Sequence, residues 1–153
     1  MKQEDIVYCV GTEKSFSDAV VAVLKAVELK NWAVFQIIDI QERLAAKGFK
    51  HDALKIIEIC SGKHANKLLL QNKLVSLCMP CKINVFVDKN NVFIAGMRPS
   101  VVSQLFDGVR QEDASAVEAE LKEMIDLARR NYEKSVCHDW CFVVVCSCGL
   151  CFK

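Results

Sequence analysis

Two prolines and six glycines in 153 residues leave this chain little material for linkers, and it holds neither an internal repeat nor a low-complexity run. A string of loosely tethered modules is excluded. The length suits one domain that buries well over half of its unfolded surface. An excess of charge is also missing. Twenty basic residues stand against nineteen acidic ones, and the densest basic dipeptide is Arg129-Arg130. Phosphate backbones need a concentrated positive field, so no nucleic-acid partner is expected. Long apolar runs are absent too. The longest late one, Trp140 to Phe152, is broken by Ser147 and Gly149 and falls short of the roughly twenty residues of a bilayer span. Behind the charged opening Met1-Lys2-Gln3-Glu4-Asp5, the run Ile6 to Val10 is too short for the core of a secretory leader. The expectation is a cytoplasmic chain without a membrane span.

What is present is a globular composition, 52% apolar and 25% charged, with nine cysteines. In a reducing compartment these start as thiols, so packing, metal or redox roles outrank a disulfide framework.

Hydrophobic periodicity alternates between two and 3.6 residues. Ile6 to Val10 reads as a strand. Ser15 or Ser17 caps a helix with Phe16, Val20, Val23, Leu24 and Val27 on one face. Trp32 to Ile38 is a strand, and Asp39 is an N-cap for a short helix Glu42 to Lys47 closed by Gly48. Leu54 to Cys60 is a strand, followed by a helix from Ser61. Lys82 to Val87 and Val92 to Met97 form a hairpin around Asp88-Lys89-Asn90-Asn91. Pro99 and Ser100 open a short helix to Phe106. Val117, Leu121, Met124, Ala128 and Tyr132 then mark the clearest amphipathic helix, placed over 113–134. Strands alternating with helices, plus an antiparallel hairpin, predict an α+β domain over 1–134, its sheet covered by helices on one face. Residues 135–153 form a separate cysteine-rich extension.

Three ordered blocks carry a resemblance: Ile38-Asp39-Ile40-Gln41 with Leu44 and Lys47, Cys60-Ser61-Gly62 with Ala65, and Leu77-Cys78-Met79-Pro80-Cys81-Lys82. Over roughly residues 5 to 130 the chain resembles the family catalogued as domain of unknown function 302. The resemblance implies a compact α+β domain with a curved, mostly antiparallel sheet, helices packed on one side and a tendency to homodimerise. It implies a fold more than an activity. The chain departs from the family pattern at Ser61-Gly62 (for Asn-Pro), at Asn72-Lys73 (for Asp-Pro) and at Arg98, where Asp commonly precedes the proline.

Cys60 ends one strand and Cys81 begins the next, which places both at strand ends on the sheet edge. Side by side, two thiols there hold a soft metal, form a disulfide or carry a sulfur. The alternative is packing, because free cysteine is among the most buried residue types. Cys78-Met79-Pro80-Cys81 has the spacing of a dithiol redox pair, yet it leads into a strand and lacks the helix N-terminus that stabilises the attacking thiolate. His64, one turn into the helix after Cys60, is a candidate third ligand with Cys60 and Cys81 for zinc or copper(I). His51 lies in a polar loop. Asp39 and Lys47, which match family positions, join Cys60 and Cys81 as candidate ligand-binding residues, although a cap and an exposed helix-end lysine also account for them.

The extension carries Cys137, His138, Cys141, Cys146, Cys148 and Cys151 around the apolar run Phe142 to Val145. Its spacings match no standard zinc module. Metal binding, an added edge strand, palmitoylation and an extension without chemistry all stay open. Two function classes follow. One is a non-enzymatic, dimeric module binding a small ligand or soft metal near Cys60 and Cys81. The other is a thiol-dependent enzyme or sulfur carrier using one of those cysteines, with Lys82 and His64 as its activating groups.

Overall fold

The computed structural model describes residues 2–130. The last helix, expected over 113–134, ends at Arg129 with Arg130 already extended, while the boundary at 134 and every assignment in the cysteine-rich extension lie outside the described residues.

A single turn of helix, α1 (Gln3–Ile6), leads into β1 (Val7–Thr12). Ser15 then caps α2 (Phe16–Leu29) by accepting the Asp18 amide. β2 (Ala33–Asp39) runs directly into α3 (Ile40–Ala45), whose N-cap is Asp39, accepting from the Glu42 amide at 2.9 Å. β3 (Leu54–Cys60) is followed by α4 (Gly62–Gln71) and by a 3-10 helix over Lys73–Cys78. β4 (Cys81–Asp88) and β5 (Asn91–Met97) form the expected hairpin. Lys89 and Asn90 supply its two positive φ values, 48° and 67°, as a type I′ turn requires. A 3-10 turn (Pro99–Val101), α5 (Val102–Leu105) and the long α6 (Gln111–Arg129) complete the described chain.

The five strands form one antiparallel sheet in the order β1-β5-β4-β3-β2. Alternation sends Val10, Ile57, Ile59, Ile83, Val85 and Ile94 to one face, where α2 and α6 cover them. On α6 the buried stripe Val117, Leu121, Met124, Ile125 and Ala128 repeats at helical spacing. α6 lies so close to β5 that a Cβ on Gly96 would sit 2.9 Å from Leu121 Cδ2 and 3.3 Å from the Lys82 carbonyl. The crowding at Gly96 comes from these contacts, not from its backbone angle. On the other face, Cys9 is exposed and Ile56, Phe86, Phe93 and Ala95 are only half-buried. Helices therefore cover one side of the sheet alone.

Candidate functional site

The sheet register brings the two watched thiols together. Ile59 pairs with Cys81, so Cys60 stands one residue beyond that pair. The strands concerned, β3 and β4, are interior neighbours, not the sheet's margin. The site is therefore at the end of two central strands, which corrects the expected place on the sheet edge. The chain leaves β3 into α4 and returns through the Lys73–Cys78 helix and Met79-Pro80 to β4, and this excursion roofs the strand ends. Cys78 ends a 3-10 helix and Cys81 opens a strand. Neither thiol of the C-x-x-C pair thus begins an α-helix.

Beneath the roof is a cleft of about 100 Å³ that opens to solvent, the scale of a single small ring. Its apolar walls include Trp32, Leu68, Val75, Val102 and Val117, all buried. Five sulfur-bearing residues line it as well, Cys60, Cys78, Cys81, Met79 and Met97. Burial raises the Cys60 thiol above its ordinary value. It pushes Cys81 up to about 11, with Cys60 and Cys78 adding to the effect and Lys82 opposing it. Lys82 is turned to Glu58, 3.8 Å away, and does not reverse the effect of burial. Both thiols are therefore neutral at pH 7.

Ser61, Lys82 and His64 break this apolar lining, and His64 is the one held by a long-range partner. His64 sits in the first turn of α4 and keeps only 12% of its side chain exposed. Its ring tilts against that of Trp32, with centroids 5.8 Å apart. Nε2 donates to Glu120 Oε1 at 3.0 Å, while Trp32 Nε1 donates to Glu120 Oε2 at 2.6 Å. Burial alone would raise the Glu120 carboxyl, but bonds from His64 and Trp32 outweigh it and hold the group below its ordinary value. Glu120 is thus a carboxylate that accepts on both oxygens. Periodicity placed it on the long helix without indicating that it reaches His64, 56 residues away.

Two further networks brace the walls. Arg98, at the position where the family commonly has Asp, donates to Glu118 from Nε and Nη2, both at 2.8 Å. Glu118 also accepts the Ser100 amide. A partly buried ion pair accommodates the departure. Asp113 accepts from Lys67 at 2.5 Å and from Arg110 and Gln71, tying α6 to α4.

The remaining candidates lie elsewhere. β2 and β3 pair from Ala33–Cys60 at one end to Asp39–Lys55 at the other, roughly 20 Å apart at about 3.3 Å per residue. Asp39, busy as a cap and 3.3 Å from the Lys55 ammonium, is at that far end, with exposed Lys47 just past α3. The four proposed ligand-binding residues are therefore not one cluster: Cys60 and Cys81 share a cleft, and Asp39 and Lys47 do not. His51 is exposed in the same far region. Nor do Cys60, Cys81 and His64 assemble as ligands, since among the described residues no three His, Cys, Asp or Glu side chains stand where they could hold a metal ion.

A profile for the family described as "Domain of unknown function DUF302" matches residues 8–128. The chain belongs to the DUF302 family. The match spans every strand and the cleft. A solved structure described as "Crystal structure of uncharacterized conserved protein DUF302 from Bacillus stearothermophilus" is similar with a TM-score of 0.75. The two are 22% identical, covering 80% of this chain and 98% of that one. At that identity the likeness establishes the shared DUF302 fold, an α+β domain with a five-stranded antiparallel sheet. No curated protein matches the chain. Among the described residues, no helix is long and apolar enough to cross a membrane.

Proposed function

We propose that the cleft of Cys60, Cys81 and His64 is a small-molecule binding site and that the protein is a non-enzymatic binding module. The observation that carries this reading is an apolar, sulfur-lined cleft in which burial raises the Cys60 and Cys81 thiols. A nucleophilic cysteine needs the opposite, a thiol lowered by a nearby cation or base. A soft metal such as zinc or copper(I) would need Cys60, Cys81 and His64 to rearrange, with His64 leaving Glu120. The second reading, a thiol-dependent enzyme or sulfur carrier, rests on Cys60 standing just before the N-terminus of α4, whose first turn has Lys63 and no acidic residue.

Alkylation separates the two. With reduced protein at pH 7, iodoacetamide should modify Cys60 and Cys81 slowly, and toluene held in the cleft should slow both further. Fast modification of one of them alone, unaffected by toluene, would transfer the conclusion to the enzyme.

The proposal extends to assembly and location. Edge strand β2 leaves Val34, Phe35 and Ile37 39%, 62% and 44% exposed, and no charge interrupts it from Ala33 to Ile38. A second copy of the chain fits that edge, since a two-fold pairing of identical strands then meets no like charges. Light scattering of Phe35→Lys beside the unaltered chain tests it: a dimer in the latter alone is expected, and monomers in both would refute it. The free thiols Cys9, Cys60, Cys78 and Cys81 support a cytoplasmic setting.

A further inference from the structure

Glu120 determines what His64 offers to the cleft. An ionised carboxylate only accepts hydrogen bonds, so the His64 nitrogen facing it, Nε2, must carry a proton. In the neutral ring the other nitrogen, Nδ1, is then a lone-pair acceptor, and the partner of one nitrogen has set the role of the other. Nδ1 has no hydrogen-bond partner among the described residues, and the ring forms part of the cleft wall. Trp32 fills the second Glu120 oxygen, which keeps the carboxylate from turning away. The His64 ring thus offers one fixed acceptor beside apolar walls, with Ser61 and Lys82 as the other polar residues of the lining.

The sulfur lining adds a second preference. Thioether and thiol sulfurs are polarisable and make favourable contacts with aromatic rings. Met79, Met97 and the three cysteines surround the same space that Trp32 and His64 close on one side.

We infer that the ligand is a small aromatic ring bearing one hydrogen-bond donor, a hydroxyl or ring N–H, which donates to His64 Nδ1. This rests on the cleft being a binding site, and it names the chemistry the site selects. An apolar cleft without an acceptor would prefer the hydrocarbon, because burying an unpaired hydroxyl is unfavourable. The anchor reverses that order.

Phenol and toluene, near-isosteres that differ in the donor, make the test. Their affinities are read on the full chain from the nuclear magnetic resonance shift of the Trp32 indole N–H. The unaltered protein should bind phenol at least as tightly as toluene. In His64→Phe and in Glu120→Gln the ratio of phenol to toluene affinity should fall roughly tenfold, as loss of one buried hydrogen bond predicts, while toluene still binds. Tighter binding of toluene by the unaltered protein, or a ratio unchanged in a folded variant, overturns the anchor and leaves the cleft reading standing. If toluene fails to shift the Trp32 signal, or Ala65→Phe, which narrows the cleft, leaves toluene binding intact, the cleft reading falls and the anchor with it. Should either anchor variant not fold, the comparison on the unaltered chain decides alone.

Discussion

The two ends of the sheet contain the same kinds of group and use them differently. At the cleft end Glu120 is held below its ordinary value by His64 and Trp32, side chains brought from other elements against the pull of burial. At the far end Asp39 is lowered first by the Glu42 amide of its own helix, with Lys55 assisting. One carboxylate organises a cleft, and the other ends a helix. Both lie within residues 8–128, the part of the chain that matches the family, so lying inside that match does not by itself distinguish a site from a cap. What distinguishes them is whether the group's partners are long-range and whether apolar walls surround it.

The largest expected contrast is in packing. Trp32 is 6% exposed and supports the cleft wall, whereas Phe49, in the far-end loop, is 63% exposed. Trp32→Ala should cost about 3–5 kcal/mol, and Phe49→Ala should stay within about 0.5 kcal/mol. Urea denaturation of the two variants checks this, and similar losses would erase the difference between the ends.

Thiol titration comes next. Cys81 has a folded value of about 11 against an ordinary 9.0. Its proton is retained in the native state while the unfolded chain has lost it, so stability is full below pH 9.0 and declines as pH rises towards 11. A shift of that size corresponds to about 2–3 kcal/mol. Denaturation midpoints across that range should show the decline, and Cys81→Ala should remove most of it. An unchanged slope in the variant would mean that Cys81 is not shielded.

Much of this architecture could be read from period and punctuation. The β4–β5 hairpin, the Ser15 and Asp39 caps and the stripe of α6 all follow from residues close in sequence. The helix over Lys73–Cys78 was not legible, because a six-residue 3-10 turn is too short for any period and Leu74 and Leu77 face solvent. Cys60 and Cys81 were found because each borders a strand. The Trp32–Glu120–His64 network was missed, since α6 joins α4 and β2 only through tertiary packing. Glu118, a carboxylate inside the apolar stripe of α6, was the available sign that this helix carries buried polar contacts.

Acid titration compares the two carboxylates directly. Each is lowered in the folded state, so each contributes stability that is present above its ordinary value and lost as pH falls through the folded one. For Glu120 the loss starts below 4.5, and for Asp39 below 3.8. Glu120→Gln should cost about 1–2 kcal/mol at pH 7, discounted for its partial exposure. It should also flatten the first part of the acid decline. Asp39→Ala should cost about 1 kcal/mol, and Asp39→Asn much less, because Asn also accepts at an N-cap. Equal losses for Asn and Ala would show that the Lys55 ion pair, not the cap, is what Asp39 supplies.

The smallest expected effect tests the division most sharply. Lys47 lies within the family match as Cys60 and Cys81 do, yet it is exposed beyond the C-terminus of α3, at the far end of the sheet. A cation there interacts with the last carbonyls of a helix of only six residues, a weak and salt-screened contribution. Lys47→Ala should therefore change stability by less than about 0.5 kcal/mol. It should leave the alkylation rates of Cys60 and Cys81, and toluene protection of both, as they are in the unaltered chain. The field of one exposed charge roughly 20 Å away is screened within about 8 Å at physiological salt, so electrostatics cannot connect the ends. A change in either rate would require the far end to move with the cleft through β2 and β3. The two ends would then form one coupled site, and Lys47 and Asp39 would rejoin Cys60 and Cys81 as parts of it.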